Sequence, residues 1–137
     1  MSNPRIAALE KMLARNPDDA RVHFGLATEY EKAGDTESVI RHLERYLALA
    51  EDEGNAWGRL ARALREQGRT GEARTAYERG IRAAYAHGHP SMAAEFEEAL
   101  DELDSDPTVP RLAAEDDAAR GFASEDAEYD AEDAEDE

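Results

Sequence analysis

The chain matches itself when it is shifted by 34 residues. With residues 20–53 set above residues 54–87, positions that carry large apolar side chains coincide, and so do positions that carry small ones. The coinciding pairs include Leu26 and Leu60, Ala27 and Ala61, Gly34 and Gly68, and Val39 and Ala73. A fixed period of this length is typical of proteins that stack helical repeats into an array. Because such arrays present an extended surface to other chains, the period predicts recognition rather than chemistry.

The apolar spacing within and around the two copies predicts six helices and no strand. Five of them span about residues 4–15, 19–33, 55–67, 70–86 and 90–103, and the third in chain order follows Asp35. Pro4 and Pro90 suit the first turn of a helix, because their missing N–H would have no partner there. Gly34 suits the left-handed position that commonly ends a helix.

The composition divides the chain near residue 104. Residues 105–137 hold 13 acidic residues, two arginines and few large apolar side chains, which gives a charge of −11. Residues 1–104 contribute −6 to the total of −17. A segment as polar and charged as the second part cannot bury enough apolar surface to offset the entropy of ordering it. We therefore expect a helical domain over residues 1–104 and a disordered acidic tail over residues 105–137.

What the sequence lacks disfavours several classes of function. It has no cysteine, no N-terminal apolar run of signal-peptide length and no stretch long enough to span a membrane, so we expect a cytoplasmic protein without a membrane partner. A charge of −17 repels nucleic acid. We find neither a phosphate-binding glycine loop nor a nucleophile paired with a base, and therefore expect neither an enzyme nor a cofactor.

The second of the two copies carries the most complete set of characteristic residues. They are Trp57, Leu60, Ala61, Leu64, Gly68, Ala73, Tyr77 and Gly80. In this order and spacing they resemble the tetratricopeptide repeat, a pair of antiparallel helices. The first copy departs from the pattern at His23, where the family has an aromatic residue, and at Val39 and Tyr46, where it has small ones.

The resemblance covers residues 3–103 and implies an all-α fold. That fold is a right-handed array of antiparallel helix pairs, with two full repeats between two flanking half-repeats that cap it. The family binds a protein or peptide in a concave groove lined by the first helix of each repeat. The positions that face this groove in the family correspond to Arg21, Phe24, Thr28, Glu31 and Lys32, and to Asn55, Gly58, Arg62, Arg65 and Glu66; to these we add Arg59.

Two hypotheses stay open for Phe24, which lies beside the apolar stripe of the second helix. It is either an exposed aromatic anchor, the kind of residue that dominates many interfaces, or a core residue packed against the first or third helix. A clamp for terminal carboxylates, known from some members of the family, is not expected, because matching positions hold Phe24, Thr28 and Arg59.

Arginines recur along the fourth and fifth predicted helices. They are Arg59, Arg62, Arg65, Arg69, Arg74, Arg79 and Arg82. As a result, residues 54–87 carry a charge of +4, whereas residues 20–53 carry −4. One interpretation is an anion site for a carboxylate or an acidic peptide, since arginine binds carboxylates through two parallel hydrogen bonds. The alternative is a solvated helix face with local ion pairs.

The histidines and the tail complete the candidates. We expect His23 to be a packed core residue and His42 a surface residue. We expect His87 and His89 to form part of a turn, because no further metal ligand is evident near them.

The tail could aid solubility, fold back in cis onto the arginines of the fourth helix, or attract a basic partner.

Together these features predict a non-enzymatic protein–protein interaction module, a small adaptor or co-chaperone-like protein whose partner is an unidentified protein or peptide. One alternative is a self-associating assembly or regulatory subunit, which exposed apolar surface on the first and sixth helices would favour. The expected oligomeric state is a monomer or a weak homodimer. Another is an anion-binding regulator that uses the arginine-rich face of the second repeat.

Overall fold

A computed structural model describes residues 3–108, which form six helices and no strand. The helices are α1 (Pro4–Arg15), α2 (Ala20–Ala33), α3 (Thr36–Leu49), α4 (Asn55–Glu66), α5 (Thr70–Ala86) and α6 (Pro90–Ser105). The all-α prediction is confirmed, and the predicted helix ends agree with the observed ones to within two residues. The acidic tail that the composition predicts lies, beyond Thr108, outside the described residues.

Short polar side chains begin the first three helices. The side-chain oxygen of Asn3 accepts hydrogen bonds from two backbone N–H groups of α1 at 2.9 and 3.2 Å. Asp19 and Asp35 cap α2 and α3 in the same way. At α4 the cap comes from further upstream, because Asp52 accepts from the N–H of Gly54 at 2.8 Å and from a second N–H inside the helix at 2.9 Å. Each such cap stabilises a helix start by about 1 kcal/mol.

The helices stack in chain order, each against its neighbours, so that α2 pairs with α3, α4 with α5, and α6 covers the last pair. Small side chains with no exposed surface let the helices approach closely, and large ones fill the space between them. The small ones are Ala27, Ala56, Ala61, Ala73, Ala84 and Ala93, and the largest fully buried ones are Leu26, Leu43, Leu64 and Leu103. The core is therefore one continuous cluster that runs through both repeats into α6.

A close approach brings the ring of Phe96 on α6 against two glycines. A Cβ atom added to Gly58 would lie 2.5 Å from the ring of Phe96, and one added to Gly80 would lie 3.0 Å from it. At the corresponding positions of the first repeat stand Phe24 and Tyr46, whose ring centroids are 5.0 Å apart. In the first repeat, these two positions carry aromatic side chains of their own. In the second repeat they are glycines, and the ring of Phe96 from α6 enters the space beside them, which we call the glycine slot.

A pair of histidines is buried in the first repeat. His23 is buried as expected, but the expectation that His42 lies on the surface is wrong, since it is only 5% exposed. Its Nδ1 lies 3.0 Å from Nδ1 of His23, and its ring stacks against that of Tyr30. The burial of His42 follows from the repeat itself, because a shift of 34 residues places it over Ala76, which is also buried.

The hydrogen bonds determine which nitrogens of the neutral histidine pair carry protons. Nε2 of His23 lies 2.7 Å from the carbonyl oxygen of Pro17, which can only accept, so Nε2 of His23 carries the hydrogen. His23 Nδ1 then accepts from the Nδ1–H of His42. As a consequence, Nε2 of His42 is a buried acceptor that has no hydrogen-bond partner within residues 3–108.

We expect the substitution Gly58→Ala to lower the free energy of unfolding by about 1–2 kcal/mol, because overfilling a packed core outweighs the gain in helix propensity. Gly25→Ala is the matched control. Its added Cβ would meet Leu9 at 3.6 Å, an ordinary contact, so the helix gain of about 0.5–1 kcal/mol is retained. Urea unfolding followed by circular dichroism measures both. A Gly58→Ala protein as stable as the Gly25→Ala protein would show that Phe96 does not occupy the slot.

Acidification is expected to destabilise the first repeat through His42. Burial lowers the pKa of His42 below its ordinary 6.5, and the neighbouring His23 and Arg41 lower it further. The unfolded chain therefore takes up this proton at a higher pH than the folded chain, so stability falls as the pH drops below about 6.5, by at most about 1.4 kcal/mol per pH unit. Urea unfolding between about pH 7.5 and 5.5 tests this. The His42→Gln variant should lose less stability over that interval, and an equal loss in both proteins would contradict the assignment.

Candidate functional site

Four of the predicted groove residues meet between α2 and α4, in what we call the α2–α4 cluster: Phe24, Thr28, Glu31 and Arg59. Nη2 of Arg59 donates to Oε1 of Glu31 at 2.7 Å and to Oγ1 of Thr28 at 3.3 Å. The guanidinium carbon lies 5.0 Å from the centroid of the Phe24 ring. Because the side chain of Arg59 is only 11% exposed, these contacts hold it across the two repeats rather than in solvent.

The structure gives Phe24 features of both hypotheses. Its ring packs against Tyr46 of α3 and against the edge of the core cluster, as the core hypothesis expects. It nevertheless remains half-buried, with Arg59 above it. Phe24 therefore has a partly exposed aromatic ring, and Arg59 of the next repeat covers part of it.

The second set of predicted residues lies in a groove between α4 and α6, with a volume of about 580 Å³. The residues that line it are Arg62, Arg65, Glu66, Tyr77, Glu95, Phe96, Ala99 and Glu102. Arg62 and Arg65 stand on the α4 side, and Glu95 and Glu102 stand on the α6 side. Nη1 of Arg65 lies 3.8 Å from Oε1 of Glu102, and this pair links the two helices. Arg62 is exposed and has no carboxylate oxygen within 4.0 Å among the residues of the described part.

The remaining predicted positions are not joined to either set. Arg21 and Asn55 are exposed, and within residues 3–108 no hydrogen bond or ion pair links them to the α2–α4 cluster. Lys32 lies 3.6 Å from Glu29 on its own helix. Gly58 does not face an open groove, because Phe96 covers it.

The arginines of α4 and α5 do not form one open basic face. Arg69 pairs with Glu72 at 2.6 Å. Arg74 is buried and donates from both Nε and Nη2 to Asp104 of α6, and Arg79 lies over the ring of Trp57 at 5.4 Å. Together with the contacts of Arg59 and Arg65, this shows that most of these cations hold helices together. The arrangement argues against an anion site that uses the whole series.

Sequence reasoning missed the acidic side of the groove, Glu95 and Glu102. They are seven residues apart on α6 and so share one face of that helix. This spacing is visible in the sequence, but α6 does not continue the 34-residue register, so the repeat pattern does not point to them.

Two histidines join the loops between repeats. Nε2 of His87 lies 3.3 Å from Glu51, and Nε2 of His89 lies 2.7 Å from Glu53, so the loop before α6 is tied to the loop before α4. The hydrogen bond from His89 lowers the pKa of Glu53. In the part of the chain that is described, no group of three or more histidine, cysteine, aspartate or glutamate residues is arranged to hold a metal ion. No helix there is both long and apolar enough to cross a membrane.

Comparisons with known proteins agree with the repeat pattern. The sequence model of the tetratricopeptide repeat matches residues 30–94 of this chain. The chain is also similar to the TPR repeat-containing protein PA0015 of Pseudomonas aeruginosa strain PAO1. The two sequences are 36% identical over 99 residues, which is 72% of this chain and 94% of that relative.

Arg59 and Arg62 differ in burial and pairing, and the difference predicts their contributions to stability. Replacing Arg59 by Met is expected to lower the free energy of unfolding by about 1–2 kcal/mol, because it removes a charge-assisted hydrogen bond and the contact with Phe24. Arg62→Met, one turn further along, is expected to change it by less than about 0.5 kcal/mol. Urea unfolding of the two variants measures the contrast. Equal effects would mean that Arg59 does not bridge the repeats.

Proposed function

The chain belongs to the tetratricopeptide repeat family, and on this premise we propose that it is a non-enzymatic interaction module that binds a peptide or helix of a partner protein in the groove formed by α2, α4 and α6. The observation that carries the proposal is the groove between α4 and α6, in which charged side chains of both signs surround Tyr77, Phe96 and Ala99. Charged groups at such a groove orient a partner, and the apolar area that the partner covers adds to the affinity.

The groove favours a partner segment that carries both apolar and charged residues. Ala99 offers partly exposed apolar surface beside the buried ring of Phe96, while Arg62 and Glu95 offer opposite charges on opposite sides. Because Arg62 has no carboxylate within 4.0 Å in residues 3–108, a partner carboxylate can approach it without displacing an existing ion pair. We infer an amphipathic helix or an extended segment with an acidic residue placed toward Arg62.

The alternative of an anion-binding regulator has less support, because four arginines of the second repeat already contact carboxylates: Arg59, Arg65, Arg69 and Arg74. Masking of the groove by the acidic tail depends on residues outside the described part and stays a prediction, as does the cytoplasmic location.

Selection of binders from a displayed random peptide library, followed by fluorescence anisotropy with the selected peptides, tests the proposal. We expect Arg62→Glu to weaken binding by at least about tenfold, the loss typical of a contact at the centre of an interface. Arg41→Glu is the matched control, because Arg41 is also an exposed arginine but lies on α3, outside the groove. Selected peptides that bind both variants equally well would place the binding surface elsewhere.

A further inference from the structure

The two ends of the array carry opposite charges. At the N-terminal end, α1 contains no fully buried residue, and Met12 is 49% exposed. The side of α1 that faces away from α2 is exposed and is formed by Ala7, Ala8, Lys11, Ala14 and Arg15. We call it the α1 outer face. Neither Lys11 nor Arg15 has a carboxylate within 4.0 Å in the described residues, and nothing in residues 3–108 covers this face.

At the other end, the exposed side of α6 is acidic. It is formed by Ala94, Glu97, Glu98, Asp101 and Ser105, and we call it the α6 outer face. Glu97 accepts a hydrogen bond from Tyr85 at 3.1 Å. Within residues 3–108, Glu98 and Asp101 have no cation within 4.0 Å. Exposed apolar surface at both ends would favour the sequence-based alternative of self-association, and the structure shows a charged surface at the α6 end instead.

The spacing of the charges on the two faces is compatible with direct pairing. Lys11 and Arg15 are four residues apart, which places them about 6 Å apart along the helix axis, and Glu98 and Asp101 are about 4.5 Å apart. The alanines of both faces, such as Ala8 and Ala94, leave room for a second helix to approach. By contrast, contact between the α1 outer faces of two copies would bring four cations together. Contact between two α6 outer faces would bring carboxylates together, so like charges would repel in both cases.

The positions of α1 and α6 in the order of repeats favour the same contact as their charges, between α6 of one copy and α1 of another. α6 stands where the first helix of a further repeat would stand, and α1 stands where the second helix of a preceding repeat would stand. Contact between an α6 and the α1 of another copy would therefore continue the order of first and second helices across the boundary.

We propose that the α1 outer face is a docking surface for the α6 outer face of a second copy of this chain. The contact is heterologous, so each copy offers one free face of each kind and the assembly grows with concentration instead of stopping at a dimer. It is weak and sensitive to salt, because exposed ion pairs stabilise little and are screened. It does not use Arg62 or the floor of the peptide groove, and it is therefore independent of the proposed function.

The test uses the full chain and two charge-reversed variants, Lys11→Glu/Arg15→Glu and Glu98→Lys/Asp101→Lys. All four residues are exposed, so the folded state should be preserved, and circular dichroism checks this. Sedimentation velocity over a range of concentrations measures association at about 0.1 M and about 1 M salt, where the Debye length falls from about 10 Å to about 3 Å.

The unmodified chain is expected to associate at low salt and to dissociate at high salt. Each variant alone should associate at least about tenfold more weakly, because its two faces now carry the same sign of charge. An equimolar mixture of the two variants should associate again, because each supplies the face that the other lacks.

Three results would overturn the proposal. The first is an unmodified chain that stays monomeric at low salt. The second is a variant that alone associates as strongly as the unmodified chain, which would indicate contact between two identical faces. The third is a mixture that remains as weakly associated as its components, which would mean that Lys11 and Arg15 meet another acidic segment, such as residues 109–137, within the same copy.

Discussion

The helices of this array can stack because small residues let them approach one another closely. Ala27, Ala61 and Ala73 have no exposed surface, and larger side chains at these positions would push apart the two helices of a repeat. The glycine slot around Phe96 is a further case. Gly58 and Gly80 leave a space that the ring of Phe96 enters, so the packing of α6 depends on these glycines of the second repeat. This dependence is typical of arrays in which each element contacts only its neighbours.

The arginines illustrate how the fold uses charge. A basic segment in an acidic chain suggests a positively charged surface. In the structure, however, Arg59 pairs with a carboxylate of α2, and Arg65 and Arg74 pair with carboxylates of α6. The guanidinium group suits this role, because it stays charged, stacks on aromatic rings and donates several hydrogen bonds in one plane. For Arg74, which is buried, loss of its partner Asp104 would leave an uncompensated charge in the interior. The charge that remains available to a partner is therefore much smaller than the sequence count implies.

Two kinds of surface remain for recognition, and they have different physical character. The groove between α4 and α6 is lined by charged residues around Tyr77, Phe96 and Ala99, so the partner proposed for it would combine ion pairs with a small apolar area removed from water. The outer faces of α1 and α6 are almost entirely small or charged, so their contribution depends on ionic strength. A stacked array keeps the two kinds apart, because the groove lies along the stack and the outer faces lie at its ends.

The helices, their order and the register of the two repeats follow from the amino-acid sequence alone. Proline, glycine and short polar residues act locally to begin and end helices, and the 34-residue period identifies the inward positions. The contacts of the polar residues at those positions, by contrast, follow from the way in which the helices pack. His42 and Arg74 stand over Ala76 and Ile40 in the repeat register, so their burial could be expected, but His23 and Asp104 as partners could not. The reason is that periodicity describes one helix at a time, whereas a buried polar group is stabilised by a neighbour that only packing brings near.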